Sequence, residues 1–299
     1  VGHVMMHRKR IHCFGSSCQL TIDTLPGEAD TLVSIATAEL SRLEHKFSAF
    51  NADSLISKIN QSAGTGCYTA LDPEALSLFD FVTALWEESS HIFDPTTRLL
   101  LNCYDDDGRL KATDSQVKAM LHLVGWSQLE LTHQGALLPQ KGMLLDLNSC
   151  IRPYAIDSVR RKLIKEGIEN AMIEMAQDAV TIGKQFDGAN WLLGLRHPFG
   201  NRTAINRIKL NGKGFAMRGD FERRTRFNDE NFGRGLSPID GYPIPGMLSV
   251  SVVADSCLEA CGASSVARLK TEKAAINWLE NLGLPWMAID RELRCHGPL

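Results

Sequence analysis

Segments with strand periodicity and segments with helical periodicity are interspersed along this 299-residue chain without strict β–α alternation. Residues 11–23 include a strand-like alternation, and residues 29–47 have the apolar spacing of a long helix. A doubly wound parallel sheet requires regular alternation of strands and helices. We therefore expect an α+β fold, with mixed sheets and packed helices in a single domain over residues 11–299. Residues 1–10 are expected to be an N-terminal extension or a tag remnant.

The remaining predicted elements rest on periodicity and on residues that start or end helices. Predicted helices cover residues 72–90, 115–123, 154–166, 258–270 and 271–282. Predicted strands cover residues 143–146, 170–182, 191–195 and 248–254. Within 170–182 the helical propensity of residues 171–176 competes with a setting that favours a strand, and we predict a strand.

Composition and charge exclude several classes of function. Hydrophobic residues make up 44% of the chain, enough for a substantial core at this size. The formal net charge of −3 gives no general electrostatic footprint for nucleic acid or for an anionic membrane. No stretch reaches the roughly 18 consecutive apolar residues that span a bilayer. We expect neither a nucleic-acid partner nor a membrane span.

The eight cysteines contain no Cys-x-x-Cys pair and lack the paired spacing of a zinc ribbon. The first six residues have no apolar signal core and run directly into the basic stretch His7–Arg10. This pattern favours free thiols in a cytoplasmic protein. A periplasmic protein with disulfides, from which a leader has been trimmed, is the alternative.

Eight separated segments stand in one order along the chain. They are Phe14–Ser16, Glu44–Phe50, Ser54–Asn60, Phe93–Thr96, Leu145–Asp157, Gly219–Arg223, Pro238–Pro243 and Ser249–Ser265. In this order they resemble the FAD:protein FMN transferase family, the ApbE-like flavin transferases, over roughly residues 12–290. The resemblance implies a single α+β domain with FAD in a cleft, a bound magnesium ion, and transfer of FMN to a Ser or Thr of an acceptor protein.

The segment Leu145–Asp157 keeps the frame of the family's Asp-Leu-Gly-Gly-Ile-Ala-Lys-Gly-Tyr-Ala-Val-Asp stretch but differs at its chemical positions. The two glycines become Asn148 and Ser149, and the lysine and its following glycine become Arg152 and Pro153. Paired glycines permit close approach of the backbone to a ligand, and side chains there obstruct it. FAD is therefore expected to lie in an altered position.

The segment that supplies the family's magnesium ligands, Ala-Asp-Ala-Leu-Ala-Thr, stands here as residues 260–265. Cys261 replaces the aspartate, and Ser265 occupies the threonine position. Magnesium prefers oxygen ligands that include carboxylates, so we do not expect magnesium at these two family metal positions. The alternatives are a softer metal at Cys261, with Cys150 or Cys257, and a buried Cys261 with no metal at all.

Arg152, Arg218 and Arg234 occupy the family's lysine, serine and histidine positions. Guanidinium groups bind phosphate oxygens bidentately and need no metal. Our hypothesis gives these arginines the catalytic positions, where they replace magnesium in neutralising a pyrophosphate or another anionic ligand. The alternative is a solvated charged strip of four arginines paired with three acidic residues. The arginines are Arg218, Arg223, Arg224 and Arg226, and the acidic residues are Glu222, Asp229 and Glu230.

Other positions that the resemblance assigns to the cofactor carry over one by one. They are Phe14, Phe50, Phe93, Asp94, Asn148, Arg152, Tyr154 and Gly235. Our leading interpretation is a diverged protein of this type that binds FAD or another phosphate-bearing nucleotide, with magnesium-dependent FMN transfer weakened or lost. Its partners would be a flavin nucleotide and an acceptor or partner protein. The alternatives are an enzyme with magnesium-independent flavin or nucleotide chemistry and a non-catalytic assembly or interaction partner.

Overall fold

A computed structural model describes residues 2–196, 204–219, 224–227, 230–233 and 235–299. Over these residues the chain folds into an α+β domain, which confirms the predicted fold class. Within the same residues, no helix combines the length and the apolar character needed to cross a bilayer.

The helices are α1 (Ala29–Phe47), α2 (Leu55–Gln61), α3 (Pro73–Glu88), α4 (Asp114–Leu121), α5 (Asn148–Lys165), α6 (Cys257–Arg268) and α7 (Glu272–Leu282). The strands are β1 (Met5–Cys13), β2 (Ser16–Thr24), β3 (Glu130–Thr132), β4 (Gly135–Leu137), β5 (Ala171–Met175), β6 (Asp178–Ile182), β7 (Trp191–Arg196), β8 (Ala204–Leu210), β9 (Gly214–Gly219), β10 (Arg224–Phe227), β11 (Glu230–Gly233), β12 (Ser249–Ala254), β13 (Trp286–Ile289) and β14 (Cys295–His296). Short 3-10 helices cover Thr97–Cys103 and Trp126–Gln128.

The main sheet has eight strands in the order β1-β2-β5-β6-β9-β12-β13-β14. Each pairing described in this sheet is antiparallel, where the sequence suggested mixed sheets. Residues 5–10, which the sequence assigned to an extension, pair with β2 from Met5 opposite Thr24 onward. They therefore lie within the sheet. The β3–β4, β7–β8 and β10–β11 pairs form separate two-stranded sheets.

Helix α5 lies between α1 and α6 and contacts the sheet at β5 and β6. Helix α1 buries Leu32, Ala36, Leu40, Leu43 and Phe47, whose spacing of three to four residues puts them on one face. Helix α6 packs on β9 and β12. The N-terminal part of α5 is thus held next to α6 and to the centre of the sheet.

The predicted strand over residues 143–146 is wrong. This segment forms no strand, and the Asn60 side chain rather than a neighbouring strand pairs with the backbone of Leu145. The Asn60 amide donates to the Leu145 carbonyl at 3.0 Å and accepts from the Leu145 N–H at 2.7 Å. The Asp146 N–H donates to the Pro95 carbonyl at 3.0 Å.

Helix α5 begins at Asn148, six residues before the predicted start at Tyr154. The Asp146 carboxylate accepts a hydrogen bond from the Asn148 N–H at 2.9 Å and so favours a helix start there. Pro153 lies inside the helix. Proline has no N–H, so the carbonyl of Ser149, four residues earlier, lacks its usual helical donor.

The predicted strand over residues 170–182 is a hairpin of β5 and β6. Ala176 adopts the left-handed conformation in its turn, with φ of +52°. The other predicted helices and strands agree with the structure to within a few residues at each end.

The Asp157 side chain of α5 fixes the start of α6. Its two carboxylate oxygens accept from the N–H groups of Cys257 and Leu258, each at 2.8 Å, and Ser256 caps the next N–H. Because the Asp157 side chain is buried, water does not take its place as the acceptor for these N–H groups. Backbone donors at a helix N-terminus need such acceptors.

We predict that Asp157→Ala lowers the free energy of unfolding by about 2 kcal/mol, because one buried and one partly buried N–H donor lose a charged acceptor. Urea unfolding followed by circular dichroism measures the change. Asp255→Ala, at an exposed carboxylate two residues before α6, is the control and should change little. Equal effects of the two substitutions would contradict the proposed role of Asp157.

Candidate functional site

A buried ion pair joins two neighbouring strands of the main sheet. Arg218 of β9 donates through Nη1 to Asp178 Oδ1 at 2.6 Å and through Nη2 to Asp178 Oδ2 at 3.3 Å. The Asp178 side chain, at the start of β6, is 5% exposed, and that of Arg218 is 20% exposed. Burial raises the pKa of Asp178, and the charge of Arg218 opposes this rise. Each of the two charges therefore stabilises the ionised form of the other residue.

The same guanidinium reaches two helices. Arg218 Nη2 lies 3.1 Å from Cys261 Sγ on α6 and 3.4 Å from the Ser149 carbonyl oxygen on α5. The Cys261 thiol donates to that carbonyl at 3.3 Å and lies 3.7 Å from Ser265 Oγ. We call Ser149, Asp178, Arg218, Cys261 and Ser265 the Arg218 cluster.

A second thiol adjoins the cluster. Interaction with Cys150 lowers the pKa of Cys261, the Arg218 charge lowers it further, and burial opposes both effects. The same interaction with Cys261, together with burial, raises the pKa of Cys150. Of the two thiols, Cys261, which contacts the guanidinium, therefore has the lower pKa.

The Arg218 cluster does not fit a magnesium ion. At the two family metal positions it offers a thiol and a hydroxyl, whereas magnesium requires oxygen ligands in near-octahedral geometry and usually one or two carboxylates. The one carboxylate of the cluster, Asp178, is paired with Arg218. A fixed cation already contacts Cys261 Sγ and the Ser149 carbonyl. In the described part of the chain, no group of three His, Cys, Asp or Glu side chains is placed to hold a metal ion.

On another side of α5, Arg152 contacts the turn between β1 and β2. Its Nη2 donates to the Phe14 carbonyl at 2.9 Å. Phe14 and Gly15 have φ of +52° and +66°, as a two-residue hairpin turn with a right-handed strand twist requires. Phe14 itself is buried. A surface cavity of about 560 Å³ adjoins this turn and is lined by His12, Cys13, Gly15, Ser16, Ser17 and Glu44.

Two buried polar atoms at the start of α5 have no hydrogen-bond partner among the described residues. They are Asn148 Oδ1, an acceptor, and Arg152 Nε, a donor. A buried polar atom without a partner costs free energy, so such atoms indicate a bound water or ligand. Both atoms belong to residues at positions that the resemblance assigns to a glycine and a lysine.

Phe93 and Asp94 have structural partners. The Phe93 ring is part of the main core. Asp94 Oδ1 accepts from the N–H and hydroxyl of Thr96, and its Oδ2 accepts from the Trp126 N–H at 2.8 Å. Phe50, in contrast, is 70% exposed, and the Arg98 guanidinium lies 4.3 Å from its ring centroid.

Tyr154 lies on α5 and donates its hydroxyl to Glu74 Oε2 of α3 at 2.9 Å. Gly235 follows β11, and its carbonyl accepts from the Ile244 N–H at 3.1 Å. Arg234 lies outside the described residues, as do the side chains at positions 223, 224 and 226 that belong to the suggested charged strip.

The structure thus brings Arg218, Cys261 and Ser265 together, with Asn148 and Arg152 on the adjoining α5 helix. The sequence analysis did not identify Asp178, which forms the ion pair with Arg218. The available signal was one acidic residue at the start of the run 179–182, in which Thr181 is the one polar residue. It also missed the Ser149 carbonyl. The signal for it was Pro153, four residues later, which has no N–H to donate to that carbonyl.

The ApbE family model matches residues 14–287. The FAD:protein FMN transferase of Haemophilus influenzae is 24% identical over 260 residues, which cover 83% of this chain and 75% of that protein. The FAD:protein FMN transferase of Vibrio cholerae is 22% identical over 272 residues, which cover 88% of this chain and 81% of that protein.

Two solved structures have the same fold. The ApbE protein of Thermotoga maritima superimposes with a TM-score of 0.86 at 22% identity, and the flavin transferase ApbE of Vibrio cholerae with 0.86 at 19%. Each match covers 98% of this chain and 97% of the other. These matches show that the chain has the α+β fold of the two ApbE structures. The chain belongs to the ApbE family, as the order of its sequence segments predicted.

The Glu74 carboxylate on α3 forms hydrogen bonds with two cationic side chains and with Tyr154 of α5. Its carboxylate accepts from Arg42 at 2.8 and 2.9 Å, from Lys46 at 2.7 Å, and from Tyr154. These hydrogen bonds, that of Arg42 above all, lower the pKa of Glu74 to about 2. A lowered carboxyl pKa stabilises the fold above the ordinary value near 4.5, and this contribution disappears as the pH falls towards 2.

We predict that Glu74→Gln lowers the free energy of unfolding by about 2 kcal/mol at pH 7. The difference from wild type should shrink as the pH falls from about 5 towards 2, because protonation then removes the same charge from wild type. Urea unfolding at a series of pH values measures this difference. Glu88→Gln, at an exposed carboxylate of the same helix, is the control. A Glu74→Gln difference independent of pH would refute the prediction.

Proposed function

We propose that this protein binds FAD at the N-terminal part of α5 and that magnesium-dependent transfer of FMN to a Ser or Thr is weakened or lost. The relatives named FAD:protein FMN transferase support the choice of flavin nucleotide. The observation on which the proposal depends is the pair of buried, unpartnered atoms Asn148 Oδ1 and Arg152 Nε.

These two atoms suit different parts of a nucleotide. Asn148 Oδ1 would accept from a hydroxyl or an N–H group, and Arg152 Nε would donate to an oxygen of the ligand. The Arg152 guanidinium also places positive charge at the Phe14–Gly15 turn, since its Nη2 contacts the Phe14 carbonyl. A phosphate-bearing ligand is favoured by such a charge.

The composition of the Arg218 cluster supports the loss of magnesium dependence. A thiol and a hydroxyl at the family metal positions, with a guanidinium in contact with the thiol, favour neither the charge nor the ligand geometry of magnesium. We therefore propose that the flavin nucleotide binds without a divalent ion. The acceptor or partner protein and the cytoplasmic location remain predictions from the sequence.

We expect purified protein to bind FAD with the same dissociation constant, within about twofold, in excess EDTA and in excess magnesium. Flavin fluorescence and calorimetry measure this constant. Absence of binding in both conditions would refute the proposal and favour a non-catalytic interaction partner. Binding that requires magnesium would leave flavin recognition in place and refute the loss of metal dependence.

Arg152→Ala should weaken FAD binding about tenfold, the loss expected from one hydrogen bond to a charged group. Lys165→Ala removes an exposed cation from the far end of the same helix and should leave the dissociation constant unchanged. The melting temperature of each variant, measured without flavin, separates loss of a ligand contact from loss of the fold. Equal affinities of the two variants would remove Arg152 from the proposed site.

A further inference from the structure

Pro153 leaves an unusual acceptor inside α5. Because proline has no N–H, the Ser149 carbonyl cannot receive the hydrogen bond that the residue four positions later normally donates. A helix carbonyl that lacks this hydrogen bond is free to accept from other donors. The Cys261 thiol and Arg218 Nη2 donate to it, from α6 and β9 respectively.

Three residues that determine the partners of this carbonyl depart from the family pattern: Pro153 withholds the helical donor, and Arg218 and Cys261 contact the carbonyl. By resemblance to the family, Pro153 stands at a glycine position, Arg218 stands at a serine position and Cys261 stands at an aspartate position. Together they replace an acidic metal ligand by a thiol and introduce a permanent cation at hydrogen-bond distance from it.

We propose that the Arg218 guanidinium is an internal cation that holds α5, α6 and β6 together where the family uses a bound divalent ion, so that the site keeps its shape without metal. This inference deepens the proposed function and rests on it for the identity of the metal positions. It concerns the architecture of the site and needs no bound flavin.

The hydrogen-bonding of Arg218 supports a positioning role. Nη1 donates to Asp178 and to the Met217 carbonyl, at 2.6 and 2.8 Å. Nη2 faces Asp178, Cys261 and the Ser149 carbonyl. Both terminal nitrogens therefore point at acceptors of the protein itself. Arg152, with an unpartnered Nε, is the better placed of the two arginines to contact a ligand.

The test compares two variants by thermal unfolding without FAD, in EDTA and in magnesium chloride, with sodium chloride at matched ionic strength as the control. Cys261→Asp alone should not respond to magnesium, because the guanidinium remains beside the new carboxylate. Cys261→Asp combined with Arg218→Ser removes the cation and provides two carboxylates, at positions 178 and 261. The melting temperature of this double variant should be several degrees higher in magnesium than in EDTA.

Wild type should show the same melting temperature in EDTA and in magnesium. A saturable rise for wild type would overturn the inference, and this measurement stands even if the double variant does not fold. A folded double variant that ignores magnesium would also overturn it, since the guanidinium would then not be what replaces the ion. Failure of FAD to bind would refute the proposed function and leave these stability results unchanged.

Discussion

The buried ion pair between Arg218 and Asp178 is the interaction on which the rest of the site depends. Taking two charges out of water is expensive, and leaving one of them unpaired is more so, by about 3–5 kcal/mol. The pair avoids that cost through short contacts and through further acceptors on Cys261 and Ser149. One guanidinium thus joins two central strands and the two helices that pack on them.

Helix α5 is the element through which these contacts reach the proposed ligand. Ser149 contacts α6 and β9, Arg152 contacts the β1–β2 turn, and Asp157 fixes the start of α6. Tyr154 connects the same helix to the Glu74 network of α3. A change in one contact of α5 therefore affects the alignment of the others. Arg218, Pro153 and Cys261 act on the same part of this helix.

Much of the fold could be predicted from the sequence, because local patterns determine local structure. The apolar spacing of α1 and the Asp-Pro start of α3 are strong signals, and both helices form as expected. The strand predicted at 143–146 failed because the Asn60 side chain, 85 positions away from Leu145, replaces a neighbouring strand. Of the candidate site, the sequence indicated Arg218, Cys261 and Ser265 but not the carboxylate that pairs with the arginine.

By itself, the sequence determined the fold class, the membership of the ApbE family and the residue types at the positions that the resemblance assigns to a metal ligand, two glycines and a lysine. These properties follow from the order and identity of residues along the chain. Only the tertiary structure decided that Arg218 pairs with Asp178, 40 positions away, and that Cys261 meets the Ser149 carbonyl, 112 positions away. Hydrogen bonds and ion pairs depend on distance in space, and only the packing of α5 and α6 on the sheet brings these groups into contact.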